Sequence, residues 1–208
     1  MQKKLKGLYA ITDEKLTPQN IIVDRCMEAL DCGVRIIQHR DKNSTDNEVE
    51  KICIELQELC RRYDAVFIIN DRPHLAQKIG ADGLHIGKDD MPFSETRKIY
   101  TEGIIGVSCY GSLDIAKEAQ INGAAYVAFG AFFPTPTKPD SGVFPMDVLG
   151  KAKKSLNLPV CAIGGINSSN IDIIDQHKPD MLCCVSAIFD GNIKENIRLL
   201  NQKIKERY

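Results

Sequence analysis

Eight short apolar runs rich in β-branched residues recur along the chain, each followed by a longer segment of helical period. That alternation restricts the fold to repeated βαβ units and a parallel sheet. The runs fall at residues 5–12, 35–40, 65–71, 83–87, 104–109, 126–131, 159–164 and 181–187. Helices are predicted over 18–32, 45–63, 73–79, 93–100, 113–122, 145–156, 169–177 and 193–207. Several open on Pro, Ser or Asp, and Gly or Pro marks returns to the sheet at Gly33, Gly80, Gly103, Gly123 and Pro159. Evenly spaced units favour closure into an α/β fold of the (β/α)8 TIM-barrel type, a single catalytic domain over residues 1–208. An open doubly wound sheet is the rival, because periodicity does not give strand order.

With 208 residues, 43% of them hydrophobic, the chain can bury one substantial core. Its 27 basic and 28 acidic residues are interspersed and leave a net charge of -1, so no overall field favours nucleic acid or a membrane surface. Small molecules are the expected partners, and homo-oligomerisation stays open. The eight cysteines lie mostly at apolar strand or helix positions without a Cys-X-X-Cys spacing, which reads as reduced core thiols. Adjacent Cys183 and Cys184 should face opposite sides of a strand, which suits neither a disulfide nor a shared metal. Residues 1–7 run directly into a strand pattern and no segment reaches transmembrane length, so a cytoplasmic location is expected.

In such barrels catalytic groups sit at the C-terminal ends of strands and in the loops that follow. Polar residues collect at those ends here: Gln38, His39, Arg40, Asp41 and Lys42; Asn70 and Asp71; Asp89 and Asp90; Ser108; and Thr135, Thr137 and Lys138. Asp71 and Asp90, on neighbouring strand ends, form a hard oxygen pair of the kind Mg2+ accepts, with water and substrate phosphates completing its shell. Either aspartate alone reads equally as a helix cap. Convergence with Arg40, Lys42 and Lys138 points instead to a metal and a polyanion sharing one mouth. Arg40 offers a planar fork and Lys138 a movable point charge for a leaving pyrophosphate.

A second anion site is suggested by Ile163, Gly164, Gly165 and Ile166 after the seventh run and by Val185, Ser186, Ala187 and Ile188 after the eighth. Barrels frequently bind phosphate in those two loops. Residues 133–142, with three prolines and a glycine, form the longest connection without helical period and read as a substrate-covering lid. None of the histidines is a secure general base. His39 alternates with Gln38 and Arg40 and should face the helices, His74 and His177 read as helix-surface residues, and His85 reads equally as a hydrogen-bonded interior residue or a functional one.

Taken together, several segments resemble the thiamine-phosphate synthase family. They are Leu8 to Thr12, Gln38 to Lys42, Asn70 to Arg72, Ala81 to Asp90, Gly106 to Ser108, the loop from Phe129 to Asp140, and Ala162 to Ile166. The resemblance implies a transferase that joins 4-amino-2-methyl-5-hydroxymethylpyrimidine pyrophosphate to 4-methyl-5-(2-phosphoethyl)thiazole. By the family's pattern Gln38, His39, Arg40, Asp41, Lys42, Asn70, Ser108 and Lys138 hold the pyrimidine pyrophosphate, and Arg40, Lys138 and Ser108 are the catalytic residues. Asp71 and Asp90 hold Mg2+, while Thr135, Pro136, Thr137, Gly165, Val185 and Ser186 cradle the thiazole phosphate. His39, Asp41, Tyr110 and the Cys183-Cys184 pair depart from the residues usual at those places. Two rivals share the barrel, a thiazole tautomerase of the same family and a non-catalytic phosphate-binding regulator. The magnesium aspartates and the threonine-lysine loop count against the first, and retention of Asp71, Asp90, Arg40 and Lys138 against the second.

Overall fold

Alternation along each strand decides which residues face the barrel interior. The computed structural model describes residues 5–135 and 142–204. Its strands are β1 (Gly7–Ile11), β2 (Ile36–His39), β3 (Val66–Asn70), β4 (Gly83–Ile86), β5 (Ile104–Tyr110), β6 (Tyr126–Phe129), β7 (Val160–Ile163) and β8 (Met181–Cys184). Each pairs in parallel with its sequence neighbour, and β1 also pairs with β8, Gly7 to Ala10 lying beside Met181 to Cys184. That last ladder closes the sheet and excludes the open doubly wound arrangement.

The helices are α1 (Ile22–Asp31), α2 (Asp46–Arg62), α3 (Pro73–Ile79), α4 (Phe93–Ile99), α5 (Leu113–Ile121), α6 (Asp147–Ser155), α7 (Ile171–Asp175), α8 (Ser186–Phe189) and α9 (Ile193–Lys203). The last helix, expected over 193–207, ends at Lys203 with Ile204 as its C-cap, and residues 205–207 lie outside the described residues. One element differs in kind. Residues 185–187, expected to continue the eighth strand, leave the sheet at Val185, whose carbonyl accepts from the N–H groups of both Ile188 and Phe189 to start α8. Asn196 donates to the Ile188 and Asp190 carbonyls and Arg25 to those of Phe189 and Gly191, satisfying acceptors that a four-residue helix cannot.

Two buried clusters divide the apolar side chains. Between sheet and helices lie Ile37, Phe67, Ile69, Leu84 and Cys184, packed with Leu56 and Cys53 of α2. Inside the barrel lie Tyr9, Ile36, Val66, Ile68, Tyr126, Cys161, Met181 and Cys183. Cys183 and Cys184 therefore do face opposite sides, and every cysteine is a free thiol. Burial pushes the Cys53, Cys60 and Cys184 thiols up to about 12, so they pack as protonated, inert groups.

The interior is filled rather than hollow. The Tyr9 and Tyr126 rings meet edge to face, with centroids 6.1 Å apart. Gly106 of β5 makes this possible, since a Cβ there would lie 2.0 Å from the Tyr126 ring. No described helix is long and apolar enough to cross a membrane.

Candidate active site at the C-terminal mouth

Inward-facing positions at the strand ends deliver a chosen set of side chains to one mouth. An open cavity of about 850 Å3 lies there, and Arg40, Ser108, Thr135, Gly165, Val185 and Ser186 contribute to its lining. A second depression of about 800 Å3 adjoins it over β2 and β3, lined by Asp41, Lys42, Asn70, Asp71 and Arg72 among others. The loop after β2 serves both, with Arg40 on the cavity side and Lys42 on the other. Pro136, Thr137 and Lys138 lie outside the described residues, as does most of the expected lid. Its flanks are tied down: Phe133 N–H donates to the Gly164 carbonyl at 3.1 Å and Phe144 N–H to the Ala131 carbonyl at 2.9 Å.

The carboxylate pair is held by backbone and amide groups. Asp71 follows β3 in the left-handed region, at φ 59°, a conformation that aspartate tolerates better than most residues. Its N–H donates to the His85 carbonyl at 3.0 Å, and its carboxylate accepts from Asn70 Nδ2 at 2.5 Å. Asp90 Oδ2 accepts from Gly87 N–H at 2.7 Å. Lys42 sits between the two carboxylates, paired with Asp71 and 3.8 Å from Asp90 Oδ1. Asp71 and Asp90 are only 15% and 20% exposed, so their charges are poorly screened and a cation between them is favoured.

Arg72 organises the β2 loop, and sequence reasoning gave it no role. It pairs with Asp46 at the start of α2 and donates to the main-chain carbonyls of Asp41 and Ser44. Asp41 is also committed to the loop, accepting from the N–H groups of Asn43 and Ser44 at 2.9 Å and from the Ser44 hydroxyl at 2.7 Å. Burial raises its pKa, but these hydrogen bonds outweigh that and hold it below the usual carboxylate range. The candidate ligand residues Arg40 and Lys42 thus stand on a braced loop.

On the opposite side, Gly164 and Gly165 have φ of 99° and 66°, and a Cβ on Gly165 would lie 2.6 Å from the Pro134 carbonyl oxygen. Only glycine permits this close passage of the β7 loop beneath Phe133 and Pro134. Asn170 and Asn167 both donate to the Gly165 carbonyl, at 2.9 and 3.3 Å. The chain turns there and again at Val185, which brings the first turn of α8 to the cavity wall.

His39 faces outward, its Nδ1 lying 3.5 Å from Cys53 Sγ of α2. Its side chain is therefore turned away from the mouth, and any contribution to a ligand would come from its main chain. Gln38 is buried below the mouth with its amide on Tyr9. His74 is exposed at the rim of the depression, and His177 is only partly covered. His85 lies in the interior, bonded to Tyr126 and Ser108. Burial lowers both His39 and His85 to about 4, so neither carries charge near neutrality.

A family model described as thiamine monophosphate synthase matches residues 8–188. A thiamine-phosphate synthase of Acidithiobacillus ferrooxidans is 42% identical over 189 residues, covering 89% of this chain and 87% of the relative. One of Wolinella succinogenes is 38% identical over 207 residues, covering 98% and 96%. The solved thiamine phosphate pyrophosphorylase of Pyrococcus furiosus superposes with a TM-score of 0.88 at 36% identity, covering 99% of this chain and 98% of that one. With a braced cationic loop, a carboxylate pair and a glycine-built β7 loop on one barrel mouth, and with these matches along nearly its whole length, the chain belongs to the thiamine monophosphate synthase family.

Proposed function

We propose that this barrel is a thiamine-phosphate synthase of the cytoplasm, joining 4-amino-2-methyl-5-hydroxymethylpyrimidine pyrophosphate to 4-methyl-5-(2-phosphoethyl)thiazole and releasing pyrophosphate. The observation that carries this reading is the pair of adjoining anion-suited hollows on one mouth, one with cations and carboxylates, the other walled by the β7 and β8 loops. Gln38 to Lys42, Asn70, Ser108 and Lys138 would hold the pyrimidine pyrophosphate. Thr135, Pro136, Thr137, Gly165, Val185 and Ser186 would hold the thiazole phosphate.

Asp71 and Asp90 suit Mg2+: both are hard oxygen donors, and they already share one cation, Lys42. The described residues contain no cluster of three or more His, Cys, Asp or Glu that could hold a metal, so water and pyrophosphate oxygens would fill the remaining positions. Bound there, Mg2+ supplies positive charge to the departing pyrophosphate.

The chemistry needs no strong base. The methylene C–O bond breaks with its electron pair going to pyrophosphate, the aminopyrimidine delocalises the resulting cation, and the thiazole nitrogen lone pair forms the new C–N bond. Arg40 and Lys138 stabilise the leaving group, while the two hollows hold the reactants in line. Ile11, Ala128, Ile163 and Ile166 give the cavity apolar walls that exclude water from the cation. The test supplies both substrates with Mg2+ and follows thiamine phosphate and pyrophosphate. Equal amounts of both products are expected, whereas isomerisation of a thiazole with no pyrophosphate release would identify a tautomerase.

A further inference from the structure

The barrel interior holds a chain of hydrogen bonds whose middle members, Tyr9, Tyr126 and His85, have no part in the reaction as described. Gln38 Nε2 donates to the Tyr9 hydroxyl, which lies 2.9 Å from the Tyr126 hydroxyl. The Tyr126 hydroxyl is 2.9 Å from His85 Nδ1, and His85 Nε2 is 2.8 Å from Ser108 Oγ. Gln38, Tyr9 and Tyr126 are at most 1% exposed and His85 is 9% exposed. The chain crosses the barrel through β2, β1, β6, β4 and β5, and it ends on the one member that lines the mouth cavity, Ser108.

Its direction follows from what each group can do. With the Gln38 amide nitrogen donating to Tyr9, the Tyr126 oxygen is the acceptor left for the Tyr9 proton among the described contacts. Tyr126, having accepted, donates to His85 Nδ1. The imidazole is then the tautomer with hydrogen on Nε2, which donates to Ser108 Oγ. Stacking on Tyr126 at 5.6 Å fixes the orientation of the ring. Ser108 accepts on its inner side, so its O–H points outward into the cavity.

We propose that His85 is a positioning residue, which with Tyr126, Tyr9 and Gln38 fixes the Ser108 hydroxyl as an outward donor to the leaving pyrophosphate. The proposal rests on the synthase reading. An unconstrained serine hydroxyl rotates and presents a lone pair as readily as a proton, and a lone pair would repel an oxygen that gains negative charge as the C–O bond breaks. Ordering the hydroxyl beforehand removes that reorganisation from the reaction step.

Two measurements test this. Nitrogen-15 NMR of histidine-labelled protein without substrates should show His85 protonated on Nε2 and bare on Nδ1; the opposite tautomer overturns the proposal. A double-mutant cycle then joins Tyr126→Phe, which removes one buried hydroxyl, with Ser108→Ala. Tyr126→Phe should lower kcat about tenfold with KM within about twofold, but change kcat less than about twofold once Ser108 is alanine. Equal losses in both backgrounds, or no loss in either, overturn it, since a purely structural role would act without regard to Ser108. If Tyr126→Phe does not fold, the tautomer in the unaltered protein decides. Failure of the unaltered protein to make thiamine phosphate would count against the synthase reading separately, because the tautomer is read without turnover.

Discussion

Lys42, on the loop after β2, lays its ammonium against the carboxylate of Asp71 at the end of β3. The same ammonium is 3.8 Å from Asp90, so a single positive charge spans the two carboxylates proposed for Mg2+. Asp71→Asn keeps the shape and removes the charge. It is expected to raise the Mg2+ concentration for half-maximal rate about tenfold or more. Titration of the initial rate against Mg2+ checks this, and an unchanged midpoint would remove Asp71 from the metal site.

Arg72 braces the ligand loop and also lines the depression over β2 and β3. Arg72→Ala strips donors from the Asp41 and Ser44 carbonyls and leaves Asp46 without its partner. A loss of about 2 kcal/mol in stability is expected, as for charge-assisted hydrogen bonds that are mostly shielded from water. A drop of roughly tenfold or more in kcat/KM should accompany it, because misplacing Arg40 and Lys42 loosens the reacting geometry. Urea denaturation and steady-state rates on the folded variant report the two effects separately.

Much of the architecture was legible because it rests on local pattern. Period-two alternation put Cys183 and Cys184 on opposite faces and His39 toward the helices; the structure has Cys183 inside, Cys184 outside and His39 against Cys53 of α2. Element ends were less legible, because side-chain-to-backbone bonds reset them. Thr17 and Asp13 close a turn on each other, and α1 begins only at Ile22 rather than at Pro18. Asn167 accepts from Ser169 and Asn170 from Asn167, so those residues form turns and α7 begins at Ile171. Within the mouth, Arg40, Lys42, Asn70, Asp71, Ser108 and Gly165 announced themselves by lying in the C-terminal part of a strand or just after it. Arg72 did not, since its partners lie 26 to 31 residues away. The Tyr9–Tyr126 contact, between residues 117 apart, depends on barrel closure and leaves no local trace.

Gly165→Ala tests the phosphate wall. A Cβ would strain a backbone at φ 66° and press on the Pro134 carbonyl, moving both the β7 loop and the flank of the lid. The KM for the thiazole phosphate should rise about tenfold or more, while that for the pyrimidine pyrophosphate changes far less. Equal increases for both substrates would contradict a separate site.

Acid should weaken the fold in a defined window. His39 and His85 have folded pKa values near 4, pushed down by burial from an ordinary 6.5. Between those values the unfolded chain binds more protons, so stability is present above pH 6.5 and is lost as pH falls toward about 4. From pH 7 to pH 5 each histidine should cost on the order of 2 kcal/mol. His39→Leu, which places an apolar group against α2, should roughly halve the combined effect. Denaturant unfolding at the two pH values checks it, and an unchanged difference in the variant would contradict the assignment to His39.

That one barrel mouth holds two anions at once is tested most directly by calorimetric titration of pyrophosphate with Mg2+, with and without saturating thiazole phosphate. Each anion is expected to bind one per chain, with pyrophosphate still binding when the thiazole phosphate site is full. Competition between the two for a single site would contradict the division of the mouth into a cationic half over β2 and β3 and a glycine-built half over β7 and β8.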